Sequence, residues 1–507
     1  MTKKMIMMAT AGVGPPSPPP GFTKNHFPAM LTIHIDFNCE ALSRETISTL
    51  LRFAASCGYD SVLWEVEDMV QWETCPECVS KDAFSKEEFR EILDEAKSLG
   101  LAPIPLLQTF GHAEYILSHQ PYSAWRELPE KKDCYCVSRP EVRTFLKRFL
   151  HEYLDLFGDD VRLFHLGGDE AYSFGKCPVC AERDRMELYA EHLRAVAEEL
   201  LARGIRPGCW SDMVLACDAD AMARHLPRDF VLWHWDYGYR GEGASVGRAG
   251  KTALLKERGY DIVFCAAAES SGDDPFLPMY ARHVPNIAAG AKLVREESLL
   301  GFCVTSWSIR AVSKIAQLPL FELGARCLRG PVADVDAELG RIVCDIFGDV
   351  RPATLYRLTD WRDYSFEGRH WNVYKDAAPP MVGQLDYVLS ENRKYTTGFP
   401  ESVIEKLKKH LADTEGALAD LRVAPRLTTA GETLVAGGHL RARLLKAIIA
   451  ALQGKPPSPV PFLETAAYYA REQSDWSAFR TARRVWGVLD ERYAAPFDAS
   501  VLFHPRA

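Results

Sequence analysis

One rhythm constrains this chain more than any other feature. A short apolar run recurs eight times, at Met30–Phe37, Ser61–Val66, Ala102–Thr109, Arg162–Leu166, Ile205–Asp212, Phe230–Trp235, Asp261–Ala267 and Gly301–Trp307. Amphipathic segments with helix start and stop signals lie between the runs. Ser85-x-x-Glu88 and Ser138-x-x-Glu141 have the form of capping boxes, and Gly58, Gly100, Gly204 and Gly259 stand where a helix ends. Runs that are almost continuously apolar suit parallel strands covered on both faces. An open doubly wound sheet would show the same alternation, but a count of eight favours a closed (β/α)8 TIM barrel.

The rest of the chain reads differently. Residues 1–28 form a tail, because Pro15-Pro16-Ser17-Pro18-Pro19-Pro20 neither continues a helix nor pairs in a sheet. Residues 29–325 are the expected barrel. Residues 326–507, with helical spacing over Glu401–Ala424 and Gly431–Gln453, are the expected mostly α-helical C-terminal domain. Glu405-Lys406-Leu407-Lys408-Lys409 reads as a solvated helix face. The formal charge of −9 and the lack of a basic stripe argue against a nucleic-acid partner. No apolar run is long enough to span a membrane. The apolar stretch near the N-terminus is short and interrupted for a signal peptide, so a cytoplasmic location is expected, with an unusual export signal as the alternative.

In such a barrel the chemistry belongs at the C-terminal ends of the strands. The runs end, in order, near Asp36, in Glu65-Val66-Glu67-Asp68, at Phe110-Gly111-His112, in Gly167-Gly168-Asp169-Glu170, in Trp210-Ser211-Asp212, in Trp235-Asp236-Tyr237, at Glu269 and at Trp307. Any one of these acids serves equally well as a helix cap or a loop ion pair. Their coincidence with tryptophan at one end of nearly every strand is what a sugar pocket requires. Carboxylates there accept from hydroxyl pairs, and indole faces pack on pyranose rings.

The segment Phe164-His165-Leu166-Gly167-Gly168-Asp169-Glu170 closely resembles the signature of glycoside hydrolase family 20, the β-N-acetylhexosaminidases, and Gly111-His112 resembles a second element of that family. The resemblance covers roughly residues 30–310, and its first two strands look most like the hexosaminidase D-like and bacterial exo-N-acetylglucosaminidase branch. It implies a retaining exo-enzyme in which the substrate's own 2-acetamido oxygen is the nucleophile. Glu170 would then be the general acid and base, with its pKa raised, and Asp169 would orient the acetamido group. By the same resemblance Tyr237, with Tyr280 behind it, would bind the acetamido carbonyl. Trp235 and Trp307 would wall the site, with Trp210 also binding substrate. His112 and His165 would support the acid pair, although His165, partway along its strand, fits a plain packing role equally well, and Asp36, Glu67 and Asp212 would hold sugar hydroxyls. Many family members carry a Glu two residues after the strand-eight Trp. Here the sequence is Trp307-Ser308-Ile309-Arg310, which leaves the choice between gluco and galacto sugars open and offers Arg310 for an anionic substituent or an ordinary salt bridge.

The implied partner is a glycan or glycoconjugate ending in N-acetylhexosamine, and the family suggests a homodimer. No cofactor is needed for catalysis. Two rival readings stand beside this one: an inactive carbohydrate-binding barrel, and a family relative acting on sulfated or internal N-acetylhexosamine. Fourteen cysteines include Cys75-Pro-Glu-Cys78 and Cys177-Pro-Val-Cys180, in loops that open on the same barrel face. These pairs, with Cys134 and Cys136 as alternative ligands, leave three readings: a structural zinc, free thiols, or disulfides.

Overall fold

The computed structural model describes residues 29–38, 40–215, 219–241, 250–270, 273–360, 401–453, 455 and 461–486. The expected N-terminal tail lies outside them. Eight parallel strands close into a barrel in sequence order, β1 Met30–Asp36, β2 Ser61–Glu65, β3 Ala102–Leu106, β4 Leu163–His165, β5 Arg206–Trp210, β6 Val231–Trp235, β7 Asp261–Glu269 and β8 Gly301–Ser306. Closure comes from β8 pairing back onto β1, with Met30 opposite Gly301 and Ile33 opposite Val304. Around the barrel run α1 Arg44–Cys57, α2 Lys86–Ser98, α3 Pro140–Phe157, α4 Arg185–Ala202, α5 Ala219–His225, α6 Gly250–Glu257, α7 Tyr280–Glu297 and α8 Lys314–Arg329.

The apolar runs become strands because both faces are buried, and the two faces form two separate cores. Met30, Leu63, Ile104, Leu106, Leu163, Trp210, Val231, Trp233, Val263, Cys265 and Cys303 fill the inside of the barrel. The alternate positions, such as Ile33, Val62, Phe164, Leu232 and Phe264, pack outward against the helices. The tryptophans divide accordingly. Trp64, Trp72 and Trp486 are packing residues, Trp210 and Trp233 fill the barrel, and Trp235 and Trp307 are only partly buried where the barrel opens.

The helix signals hold except at one place. Ser85 and Glu88 form a complete capping box, and Gly58, Gly100, Gly204 and Gly259 all take the left-handed backbone that ends a helix. The Ser138–Glu141 box does not form. Pro140 occupies the first helical turn and makes Arg139 the cap, while Ser138 turns its hydroxyl to the Cys180 sulfur, 3.1 Å away.

After α8 the described chain is helical: α9 Val335–Phe347, α10 Pro352–Thr359, α11 Glu401–Arg422, α12 Thr429–Leu452, α13 Phe462–Tyr469 and α14 Asp475–Trp486. Within the charged face of α11, Lys408 pairs with Glu405. These helices are tied to the barrel by buried polar bonds. Glu472 accepts from the Ser313 hydroxyl and from the Lys314 backbone N–H, which caps α8. Its carbonyl accepts from Ser43 N–H at 2.9 Å, and Gln473 donates to Glu40 at 2.8 Å. Arg441 pairs with Asp274 in the loop after β7. No helix among the described residues is long and apolar enough to cross a membrane.

Candidate active site

The end of β4 is built around two glycines. Gly167 and Gly168 have φ of +65° and +92°, a region that costs a side-chain-bearing residue about 1–2 kcal/mol. Space enforces the same choice. A Cβ on Gly167 would lie 2.0 Å from the Gln108 amide oxygen, and one on Gly168 would lie 2.8 Å from the Tyr189 hydroxyl. Tyr189 donates to the Gly168 carbonyl at 3.0 Å, and the Gly167 N–H donates to His165 Nδ1 at 3.0 Å. His165 itself is buried against Trp210 and held neutral, its pKa driven well below the ordinary value by burial. Its role is to brace the turn.

That turn delivers Asp169 and Glu170 in adjacent but unlike settings. Asp169 is 4% exposed. The Glu170 side chain is 22% exposed, and its backbone takes φ +44°. The change of backbone region at Glu170 breaks strand alternation and lets both carboxylates face one space. His112 reaches them both, with Nε2 3.3 Å from Asp169 Oδ2 and 3.6 Å from Glu170 Oε2. His112 also has positive φ, +48°. Gly111 before it passes so close to the turn that a Cβ there would meet the Asp169 carbonyl at 2.1 Å. Asp212 accepts the Glu170 N–H at 3.0 Å. Two oxygens in this group, Asp169 Oδ1 and Asp212 Oδ1, are buried and accept no hydrogen bond. Buried carboxylate oxygens normally have partners, so this pair marks where a ligand's donors fit.

Further acids crowd the same end. Glu65 lies between Gln108, which donates to it at 2.8 Å, and His34 at 3.1 Å. Burial and the nearby Asp169 charge push Glu65 up to about 7. The same two causes raise Asp212 to about 7. Burial lowers His34 to about 4, so it is neutral near pH 7. Asp36 is consumed by architecture. Its Oδ2 accepts the Ser308 N–H at 2.9 Å and the Ser308 hydroxyl at 3.0 Å, and its Oδ1 accepts Asn38 N–H at 2.7 Å. Glu67 is buried at φ +39° and accepts from Asn38 at 3.1 Å.

An aromatic wall faces the acids. Trp235 stacks on Tyr237 with centroids 5.5 Å apart, and the Trp307 indole N–H donates to the Tyr237 hydroxyl at 2.6 Å. Trp307 continues to Trp210 at 5.5 Å and to His34 at 4.8 Å. Trp210 is fully buried and forms the floor beneath this wall.

Besides Asp36, three sequence readings change. Tyr280 is fully buried and donates to the Ala316 carbonyl at 2.6 Å, so it belongs to the α7–α8 packing and not to the pocket. Glu269, at the end of β7, is also fully buried. It is held by Lys314 Nζ at 2.8 Å and Gln317 at 3.0 Å, and it accepts the Arg310 N–H at 3.2 Å. The four cysteines of the two CPxC pairs do not form one group. Cys177 and Cys180 gather with Cys136 and Glu127, their ligand atoms all within 4.8 Å of one another, and Cys75 and Cys78 are not among them. No disulfide joins the described cysteines. His34, Gln108 and Tyr172 were not singled out from the sequence. Tyr172 is half-exposed, and its phenol is raised by partial burial and by a hydrogen bond to Glu170. A polar residue near a strand end, His34 within β1 and Gln108 just past β3, was the available signal for the first two.

Residues 61–270 match the model of the glycosyl hydrolase family 20 catalytic domain. Hexosaminidase D of Bos taurus is 26% identical over 296 residues, which are 55% of this chain and 84% of that protein. Hexosaminidase D of Homo sapiens is 27% identical over 296 residues, 55% of this chain and 60% of the human protein. A β-N-acetylhexosaminidase from Bacteroides fragilis aligns at TM-score 0.46 and 18% identity, covering 58% of this chain and 65% of that one. The N-acetyl-β-hexosaminidase of Streptomyces plicatus aligns at TM-score 0.48 and 14% identity, covering 64% of this chain and 69% of its own. The matched region is thus under two thirds of the human and Bacteroides proteins.

Proposed function

Because this chain belongs to glycosyl hydrolase family 20 and is a glycoside hydrolase, we propose that it is a retaining exo-β-N-acetylhexosaminidase working through the substrate's own acetamido group. The observation that carries the reading is the inequality of the adjacent acids. Asp169 is enclosed, with Oδ2 beside His112 and Oδ1 lacking a donor, while Glu170 stands at the open rim. An acetamido N–H supplies the donor that Asp169 Oδ1 lacks.

In this proposal the carboxylate of Asp169 turns the acetamido oxygen toward C1 and offsets the positive charge that builds on the amide. The Glu170 carboxyl protonates the glycosidic oxygen as the bond to C1 breaks and the acetamido oxygen bonds to C1, forming an oxazolinium ion. The Glu170 carboxylate then takes a proton from water, which opens the ring at C1 and leaves the β configuration retained. A rim position gives Glu170 both the aglycone and water. Tyr237 fits the acetamido carbonyl. An indole only donates, so the Tyr237 oxygen is the acceptor from Trp307, and the same hydroxyl also has a side-chain hydrogen bond with Thr305. His112, close to both carboxylates, spaces them, and Trp235 and Trp307 supply apolar faces for the ring.

The test is hydrolysis of p-nitrophenyl β-GlcNAc and β-GalNAc by wild type and Glu170→Gln. A fall in kcat of roughly 100-fold or more is expected for the variant, the usual contribution of a general acid–base. Failure of the wild type on both substrates, or full activity in the variant, overturns the proposal. An α-azide product from a Glu170 variant in azide would overturn the internal nucleophile.

A further inference from the structure

We infer that Glu127, Cys136, Cys177 and Cys180 form a structural zinc site that clips the β3 loop to the catalytic β4 loop. All four are buried, and the four ligand atoms lie within 4.8 Å of one another. The Cys136 sulfur lies 3.7 Å from that of Cys177 and 3.9 Å from that of Cys180. A tetrahedral ion with Zn–S of ~2.3 Å sets its sulfurs about 3.8 Å apart, so the ligands are already spaced for it. A disulfide would need the sulfurs at ~2.05 Å.

Polar groups surround the sulfurs at hydrogen-bond distance. Cys177-Pro-Val-Cys180 folds so that the Cys180 N–H points at the Cys177 sulfur, 3.3 Å away. Ser138 sets its hydroxyl 3.1 Å from the Cys180 sulfur. Glu127 is oriented before any metal arrives, since its Oε1 accepts the N–H groups of Lys176 and Cys177 at 2.9 and 3.0 Å. Its Oε2 faces the Cys180 sulfur at 3.4 Å and is the oxygen left for the ion. Three thiolates and a carboxylate make a closed soft-and-hard set with no position for water, the mark of a structural and not a catalytic zinc. Binding Zn²⁺ displaces three thiol protons to solvent and oxidises nothing.

The clip has a mechanical purpose. Glu127 and Cys136 lie in the loop that also carries His112, and Cys177 and Cys180 lie in the loop that carries Asp169 and Glu170. Asp133, between the two ligands of the first loop, already accepts the Ser173 N–H at 2.9 Å and its hydroxyl at 2.6 Å. Zinc would fix the same two loops a second time.

The deciding measurement is on wild-type protein expressed with zinc supplement, by elemental analysis and X-ray absorption. About one zinc per chain is expected, surrounded by three sulfurs at ~2.3 Å and one oxygen at ~2.0 Å. Cys136→Ser should lose most of the metal, while Cys75→Ser should keep it. Intact mass should show all described cysteines reduced. Zinc far below one per chain, another metal in its place, a four-sulfur shell, undiminished zinc in Cys136→Ser, or a Cys177–Cys180 disulfide would each overturn the inference. The absorption measurement on wild type decides the matter even if the serine variant fails to fold.

Discussion

Alanine in place of Gly111 isolates how tightly the catalytic turn is held. Gly111 has ordinary backbone angles, so the substitution adds no left-handed strain; its whole effect is one methyl group. That methyl would sit 2.1 Å from the Asp169 carbonyl oxygen and 3.1 Å from the Ala171 nitrogen, where ordinary contact begins at 3.4 Å. Both obstacles are backbone, so no side chain can swing away, and the Asp169–Glu170 turn must shift by about 1 Å. Displacement on that scale costs ~100-fold in rate when reacting groups must meet in line, equivalent to about 2.7 kcal/mol in the barrier. Over-packing of this kind also costs about 1–3 kcal/mol of stability. The control is Gly100→Ala, at the opposite end of the barrel, where φ is +81° and nothing lies within 4 Å. It carries a similar stability cost of about 1–2 kcal/mol and no reason to slow the reaction. Initial rates on p-nitrophenyl β-GlcNAc, taken well below both melting temperatures, should show a ~100-fold loss of kcat in Gly111→Ala and near wild-type turnover in Gly100→Ala. A Gly111→Ala enzyme within about threefold of wild type would refute the claim that the β3 loop fixes the acid pair.

Tyr237→Phe should leave the fold intact and lower kcat roughly 10- to 100-fold, the worth of a hydrogen bond to developing charge; unchanged kinetics would remove Tyr237 from the reaction. Lys314→Met should destabilise by about 3–5 kcal/mol, because it strands the buried carboxylates of Glu40 and Glu269, which lie 2.6 and 2.8 Å from the ammonium; thermal melting reads it. Glu65→Gln tests the buried carboxyl raised from 4.5 to about 7. A raised acid stabilises the fold below its unfolded value near 4.5 and loses that contribution as pH climbs through about 7, so wild type should weaken relative to the variant across that window, by roughly 3 kcal/mol at most. Equal melting differences at pH 5 and pH 8 would contradict the assignment.

The strands were readable because parallel strands buried on both faces print as apolar runs. The catalytic turn was readable because only Gly-Gly meets its backbone demands. What sequence could not show is which partner a strand-end acid finds. Asp36 is engaged by Ser308, 272 positions away, and Glu269 by Lys314 at the start of α8, beyond β8, so both already have partners within the fold. Trp210 and Trp235 look alike at strand ends, yet one faces into the barrel and the other its mouth. The two CPxC motifs invited pairing by likeness, whereas the irregular β3 loop brings Cys136 and Glu127 to only one of them.

The ties made by residues 472 and 473 bear on the order of events during synthesis. The barrel is joined where β8 meets β1, and the loops leaving those two strands hold Ser43, Ser313, Lys314 and Glu40, whose bonds are completed by Glu472 and Gln473. Strands are made from the first onward. The bonds that secure their joint therefore cannot form until the chain has grown some 165 residues past β8.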